Sequence, residues 1–353
     1  MNASLQNPTR SPAVQGRPVV DPAGWTGGEL AKRTDWIFAL TAGEISGLRA
    51  MARQALGRIG SDPNGLLKLQ RADFDLGTFG STLGRIVDGL RDGPGLALIR
   101  GLPVAEMSAL ETAAVYWGIG RHLGRAISNN AAGDMLSHVM DLQKDYANPN
   151  QRGYQTRAAL EYHGDQCDIV GLLCIHNSKS GGESKVVSAI AVYNEILRRR
   201  PELMDVLCQP YYWSKNAEVD PGETPFYTSP VFNFLDGYLC TSLGSVHMER
   251  GHKLPGAPAM TALQREAIAF ADQVCEELHC PMDFRRGDIQ LLNNSVILHT
   301  RTEFEDWPEP ERKRRLLRMW ISAPELRPQT PYLKQWRNGV RVASTVDRIV
   351  PLQ

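Results

Sequence analysis

The chain has 353 residues, of which 42% are hydrophobic and 22% are charged. This composition is typical of a globular protein and excludes a disordered one. The 39 basic residues balance the 39 acidic residues, so the overall charge gives no electrostatic basis for binding nucleic acid.

Three features of the sequence bear on its location. No apolar run approaches the roughly 20 residues that span a bilayer. The polar N-terminus lacks the apolar centre of a secretory signal. The six cysteines are scattered and form no CxxC pair, which is typical of reduced thiols. The sequence therefore predicts a cytoplasmic protein outside the membrane.

The N-terminal third contains an arm followed by helices. Residues 1–30 are rich in Pro, Gly, Asn and Ser, and they predict a flexible arm or a strand that lies along a partner. Thr41 and Glu44 form a capping box ahead of apolar positions at helical spacing, so a helix begins there. Two further helices are predicted over 80–91 and 105–123, and a buried strand is predicted between them over 95–101.

An irregular segment follows over 125–160, with repeated Asn and Gly residues. A loop this long in a compact domain is usually functional, so the segment is predicted to be a lid or insert. Asn129 and Asn130 are candidate polar contacts within it, although surface exposure is the commoner state for Asn in a loop.

The remainder of the chain alternates short strands with two helices. Strands are predicted over 169–176, 184–189, 205–213, 230–234, 237–243, 288–299 and 314–322, and helices over 189–199 and 261–279. The second of these helices begins with a capping box formed by Thr261 and Gln264. This pattern favours a mainly β fold with flanking helices, a double-stranded β-helix (jelly roll, cupin-like), over a doubly wound parallel sheet. We expect a single domain over 31–325 and a C-terminal tail over 326–353.

Two H-x-[DE] motifs could contribute to a metal site. One is His163-Gly164-Asp165, which precedes the strand-like run IVGLLCIH, and the other is His247-Met248-Glu249 in a charged loop-like stretch. Residues two apart on a strand point the same way, so both side chains can reach one metal. By itself either motif is weak, because ordinary hydrogen-bonded histidines are common.

A third ligand strengthens the first motif. His299 ends an apolar run that follows the turn at Gly287-Asp288, where a barrel strand would reach the open mouth. Two imidazoles and one carboxylate leave positions free on Fe(II) for a co-substrate and O₂. His163, Asp165 and His299 are therefore the predicted metal ligands.

Arginines near the C-terminus suggest an anionic co-substrate. On a strand, Arg314 and Arg318 share one face. Burying both without anionic partners would be costly, and a dicarboxylate could supply these partners through bidentate pairs. Arg315, on the other face, is the nearest competitor for the role of Arg314. A solvated sheet face remains the alternative interpretation.

Four segments resemble the TauD/TfdA-like dioxygenases of the clavaminate-synthase-like group. They are YHGD (162–165), SGGES (180–184), NNSVILHTRTEFED (293–306) and RRLLRMW (314–320). The resemblance implies an Fe(II)- and 2-oxoglutarate-dependent oxygenase that uses O₂ to oxidise a C–H bond of a small molecule, with succinate and CO₂ as co-products. Halogenating relatives replace the carboxylate ligand with a small residue, so Asp165 implies hydroxylation or a related oxidation.

The resemblance also implies roles for single residues. The three predicted ligands would bind iron, and Ser184, where many members have Thr, would bind the distal carboxylate of 2-oxoglutarate. Arg314 would pair with that carboxylate, and Arg318 would meet the 1-carboxylate or an anionic substrate group. The expected substrate is anionic or amino-acid-like, and family habit suggests a homo-oligomer.

Two other classes stay open. One is a non-catalytic jelly-roll binding protein with a vestigial metal site. The other is a zinc-dependent cupin-like hydrolase or isomerase, which would need neither Arg314 nor Ser184. The identity of the substrate is not set by any motif in the sequence.

Overall fold

The computed structural model describes residues 9–148 and 150–352. The α-helices of these residues are α1 (Gly27–Leu30), α2 (Ala42–Ile59), α3 (Phe79–Asp92), α4 (Ala109–Leu123), α5 (Ala189–Arg199), α6 (Pro201–Leu207), α7 (Ser245–Gly251), α8 (Ala262–Leu278) and α9 (Pro331–Gln335). In this part of the chain no helix combines the length and the hydropathy needed to cross a bilayer.

The β-strands of the same residues are β1 (Ile37–Ala39), β2 (Leu96–Arg100), β3 (Arg125–Ile127), β4 (Asp134–Val139), β5 (Ile169–His176), β6 (Ser180–Gly181), β7 (Ser184–Ser188), β8 (Tyr211–Ser214), β9 (Phe226–Ser229), β10 (Phe232–Leu235), β11 (Tyr238–Thr241), β12 (Cys280–Met282), β13 (Ile289–Asn293), β14 (Ile297–Arg301), β15 (Phe304–Glu305), β16 (Arg315–Ser322) and β17 (Arg348–Ile349).

A large mixed sheet and a small antiparallel sheet face each other. The large sheet has the strand order β1-β2-β13-β5-β16-β4-β17, with β3 also paired to β16, and the small sheet has the order β12-β7-β14. Side chains from β5 and β16 and from β7 and β14 line one cavity, which therefore lies between the two sheets. Helices α2, α3 and α4 cover the other face of the large sheet, and α5 and α8 contact β7.

Local sequence explains the central elements. The run IVGLLCIH forms β5 between β13 and β16, and it is apolar throughout most of its length because both of its faces are covered. The predicted capping boxes of α2 and α8 are present, at Thr41–Glu44 and Thr261–Gln264. The prediction of a sheet core with flanking helices is confirmed in its coarser form, a mixed sheet with helices.

The strand predicted over 205–213 is partly wrong. Residues up to Leu207 belong to α6, and β8 begins only at Tyr211. Leu203, Met204 and Leu207 are buried at helical spacing, and Pro201 occupies the first turn of the helix, where its missing N–H costs nothing. The single run predicted over 288–299 is likewise two strands, β13 and β14, separated by a turn.

The segment predicted as a lid or insert contains ordered sheet. Both β3 and β4 lie within 125–160, and both pair with β16. Asn129 and Asn130 are buried rather than exposed. Their side-chain amides donate to the backbone and the carboxylate of Asp134 at 2.8 Å, so they close the turn between the two strands.

The described parts of the predicted arm and tail pack against the core. Residues 1–8 of the predicted arm lie outside the described residues, but Val19 and Trp25 are buried in the core. In the predicted C-terminal tail, Trp336 is buried and β17 pairs with β4. The apolar side chains within these segments account for the difference, because their burial stabilises an ordered path of the backbone along the core.

A buried ion pair joins the two terminal segments. Arg327 donates to Asp21 at 2.9 Å, and both side chains are almost fully buried. Burial opposes ionisation of Asp21, but the hydrogen bond and charge of Arg327, together with hydrogen bonds from the Ala23 N–H and from Arg10, outweigh it and lower the pKa of this carboxyl group. The carboxylate of Asp21 also accepts from Arg10 at 2.9 Å.

Replacing Asp21 with Ala is expected to destabilise the protein by about 3 to 5 kcal/mol, because Arg327 is left as an unpaired buried charge. The pKa of Asp21 is lower in the folded state, so this stabilisation is present above the unfolded pKa of about 3.9 and is lost as the pH falls. Urea unfolding at several pH values measures both effects. Asp92→Ala, which removes the exposed partner of Arg10, is the control and should cost less than about 1 kcal/mol.

Candidate functional site

Two histidines lie side by side because their backbones pair. His163 precedes β5 and forms an isolated antiparallel bridge with His299 of β14. The two N–H groups donate to the opposite carbonyl groups at 3.0 and 2.9 Å. The ring centroids are 4.4 Å apart. The bridge therefore brings together two residues that are distant in sequence.

Asp165 completes the group. Its N–H donates to Oδ1 of Asn294 at 3.1 Å, and the amide of Asn294 donates to the carbonyl group of Cys167 at 2.9 Å. Its carboxylate lies 3.7 Å from Nε2 of His299. One ligand atom from each of the three side chains lies within 4.8 Å of the others. Sequence reasoning did not single out Asn294, which holds this turn.

The protonation states suit a metal. Nδ1 of His163 lies 2.9 Å from the carbonyl oxygen of Glu161, so Nδ1 carries the proton and Nε2 is free to bind. Burial, aided by His163, lowers the pKa of His299 to about 3. Burial opposes ionisation of Asp165, but Arg318 and the histidines outweigh it and lower its pKa. A neutral His299 and an ionised Asp165 are the forms that bind metal.

These donors fit Fe(II). Two imidazole nitrogens and one carboxylate on one side of a cavity are the ligand set of non-haem iron oxygenases. Glu249 of the competing motif is exposed and lies on α7. On a helix, residues two apart point in different directions. Within residues 9–148 and 150–352, His247 and Glu249 belong to no group that could hold a metal.

The three other predicted site residues line the same cavity as the histidines and Asp165. They are Ser184, Arg314 and Arg318. Nη1 of Arg318 lies 3.4 Å from Asp165, and its Nε donates to Oδ1 of Asn129 at 3.0 Å. Its guanidinium also contacts the rings of Tyr154 and Trp320, at 4.3 and 4.9 Å from their centroids. These contacts fix Arg318 beside the candidate metal ligands.

Arg314 lies on the cavity wall immediately before β16. Only 4% of the residue is exposed, and Nη1 has no partner among the described residues. Burial lowers the pKa of its guanidinium to about 10. Arg315 lies on the other side of the sheet, in a separate cavity with His138 and His176. The side chains of β16 thus alternate as the strand pattern requires.

A further arginine of this cavity was missed at the sequence level. Arg301, on β14, lines the cavity and is 5% exposed. Burial, together with repulsion by Arg314, lowers its pKa to about 9. The available signal was its position two residues after His299, which places both side chains on one strand face.

Comparisons with known proteins identify the family of the chain. The family model described as "Taurine catabolism dioxygenase TauD, TfdA family" matches residues 62–320. FR-33289 synthase of Streptomyces rubellomurinus is 30% identical over 337 residues, covering 93% of this chain and 97% of that protein. The taurine hydroxylase-like protein SAT17 of Stachybotrys chartarum is 27% identical over 312 residues, covering 85% and 78%.

A solved structure shows the same fold. The crystal structure of asparagine oxygenase with Fe(II), a hydroxyasparagine and succinate has a TM-score of 0.63 and 16% identity, covering 87% of this chain and 99% of that one. The chain therefore belongs to the TauD/TfdA family, and the predicted activity, an Fe(II)- and 2-oxoglutarate-dependent oxygenase of small molecules, is confirmed.

Proposed function

We propose that His163, Asp165 and His299 bind the iron of this oxygenase. The observation that carries the proposal is their convergence, with one ligand atom of each side chain within 4.8 Å of the others. When bound, Fe(II) supplies the redox chemistry by which O₂ and the keto acid are consumed. The surrounding side chains orient the ligands and keep water away.

We further propose that Ser184, Arg314 and Arg318 bind 2-oxoglutarate. Of the described residues that line the cavity, Asp165 carries the one carboxylate, whereas Arg301, Arg314 and Arg318 carry positively charged guanidinium groups. A dianion would neutralise this excess. Arg318 contacts Asp165, so it lies close enough to the proposed iron ligands to pair with the 1-carboxylate of 2-oxoglutarate or with an anionic group of the substrate. Arg314 suits the distal carboxylate.

The turn before Ser184 supports the position of Arg314. Gly182 has φ +74°, and a Cβ atom added there would lie 3.1 Å from Nε of Arg314. Glycine at this position therefore allows the guanidinium to pack against the turn backbone. The arrangement brings the Ser184 hydroxyl group and the guanidinium into one wall of the cavity.

The proposed substrate is an anionic or amino-acid-like small molecule, which is hydroxylated or otherwise oxidised at a C–H bond. Two of the similar proteins are named for taurine and for asparagine, and both compounds carry an amino group and an acidic group. Arg318 offers a cationic contact for such an acidic group next to the metal ligands.

We also propose a jelly-roll core, a cytoplasmic location and self-association. The two facing sheets support the first, since a double-stranded β-helix places its site between such sheets. All six cysteines are unpaired, as expected for a reducing compartment. A single domain is supported by the described parts of the two terminal segments, which pack against the same core.

The test is turnover by the purified protein with Fe(II), O₂ and 2-oxoglutarate, offered amino acids and aminosulfonates in turn. We expect succinate to form in equal amount with a product that has gained one oxygen atom or lost two hydrogens, as measured by mass spectrometry. Chelation of the iron should abolish both products. Activity with zinc in place of iron, without consumption of O₂, would favour the hydrolase or isomerase class instead.

A further inference from the structure

Arg301 lies opposite a residue of the proposed co-substrate site. On β14 it is two residues from His299, and the register of β14 against β7 pairs it with Ser184. Its side chain lines the same cavity as these two residues and Arg314. One strand thus carries both a proposed iron ligand and this arginine.

The guanidinium of Arg301 is only partly satisfied. Its Nη2 donates to the carbonyl groups of Thr156, at 3.0 Å, and Ala158. Its Nε and Nη1 are buried and have no hydrogen-bond partner among the described residues. A buried charged donor without a partner is costly, so these two N–H groups are suited to an anionic ligand.

The guanidinium groups of Arg301 and Arg314 both contact the ring of Phe304. The Cζ atoms of Arg301 and Arg314 lie 4.8 and 5.1 Å from the ring centroid of Phe304. Nη1 of Arg314 is likewise buried and has no hydrogen-bond partner in the described part of the chain. The carboxylate of Asp165, on the same cavity, already contacts Arg318 and His299. Two buried guanidinium groups on one ring repel each other unless an anion lies between or beside them.

We propose that Arg301 acts with Arg314 and Ser184 to bind the distal carboxylate of 2-oxoglutarate. This inference rests on the proposed co-substrate site and adds a third binding residue to it. Through Nη2, Arg301 at the same time holds the backbone at Thr156 and Ala158 against the pocket. Keto-acid binding and the position of this segment are therefore linked through one side chain.

The experiment compares two keto acids on the iron-loaded full chain, by calorimetric titration without oxygen. The ligands are 2-oxoglutarate and 2-oxopentanoate, which has a methyl group in place of the distal carboxylate. We expect Arg301→Gln to raise the Kd of 2-oxoglutarate by about 10- to 100-fold, as for loss of a charge-assisted hydrogen bond. The Kd of 2-oxopentanoate should stay within about twofold, since the wild-type contact is to the missing carboxylate.

Matched variants separate the explanations. Arg314→Gln should give the same selective loss, and Arg315→Gln, one residue along and on the opposite face, should change neither Kd. A role of Arg301 confined to Thr156 and Ala158 would weaken both keto acids equally or neither, and either result overturns the inference.

Failure of the proposed co-substrate site has a different signature. In that case the wild-type chain itself would bind neither keto acid, or would bind both equally. Thermal unfolding of each variant checks that the fold is kept. If Arg301→Gln does not fold, Arg301→Lys is titrated instead, because Lys keeps the charge but cannot bridge the carbonyl groups and the carboxylate together. The same selective loss is then expected.

Discussion

Replacing His163 with Ala is expected to abolish succinate formation while the protein remains folded. The change removes one of three proposed iron ligands, and loss of a residue that merely supports a ligand already costs about 10- to 100-fold in metal affinity. The backbone bridge to His299 does not depend on the imidazole, so the fold should persist. Bound iron per chain, succinate yield and thermal unfolding measure the three parts of this prediction.

His247→Ala is the matched control for this substitution. His247 belongs to the competing H-x-E motif and lies in α7, outside the group formed by His163, Asp165 and His299. We expect this variant to retain iron. Loss of iron from His247→Ala together with retention in His163→Ala would contradict the assignment of the metal site.

Replacing Arg314 with Ala should raise the KM for 2-oxoglutarate by about 10- to 100-fold. A charge-assisted hydrogen bond to a buried group contributes about 1.5 to 3 kcal/mol, and each 1.4 kcal/mol corresponds to a factor of ten. The rate at saturating 2-oxoglutarate should fall much less, because the contact stabilises the bound ground state and the transition state to a similar extent. Initial rates across a range of 2-oxoglutarate concentrations separate the two quantities.

Arg315→Ala tests the same prediction from the other face of the sheet. Arg315 lies in a separate cavity with His138 and His176, so its replacement should leave the KM for 2-oxoglutarate nearly unchanged. A large rise in this KM for Arg315→Ala, with none for Arg314→Ala, would show that the assignment of the two neighbouring arginines is reversed.

The elements that sequence reasoning predicted well are those set by local pattern. The run that forms β5 is apolar on both faces, and the capping boxes of α2 and α8 each lie within four consecutive residues. The alternation at the start of β16 separates Arg314 from Arg315 in the same way. Patterns of this kind need no knowledge of distant partners.

The features that it missed depend on contacts far apart in the chain. Asn129 looked like a surface loop residue, but it is buried and accepts from Arg318. The unsatisfied donors of Arg301 become apparent only when β14 is placed beside β7. The same holds for the arm and the tail, since neither Asp21 nor Arg327 reveals its partner in the local sequence. In each case tertiary burial, and not the local sequence pattern, determined the environment of the residue.

The pair between Asp21 and Arg327 has a consequence for the order in which the chain can fold. The partners are 306 positions apart, so the carboxylate of Asp21 leaves the ribosome long before the guanidinium that neutralises it. The edge of β4 that pairs with β17 likewise stays unpaired until β17 has been synthesised. Vectorial folding during synthesis therefore leaves an incomplete large sheet and an uncompensated charge until the segment that carries Arg327 and β17 has emerged.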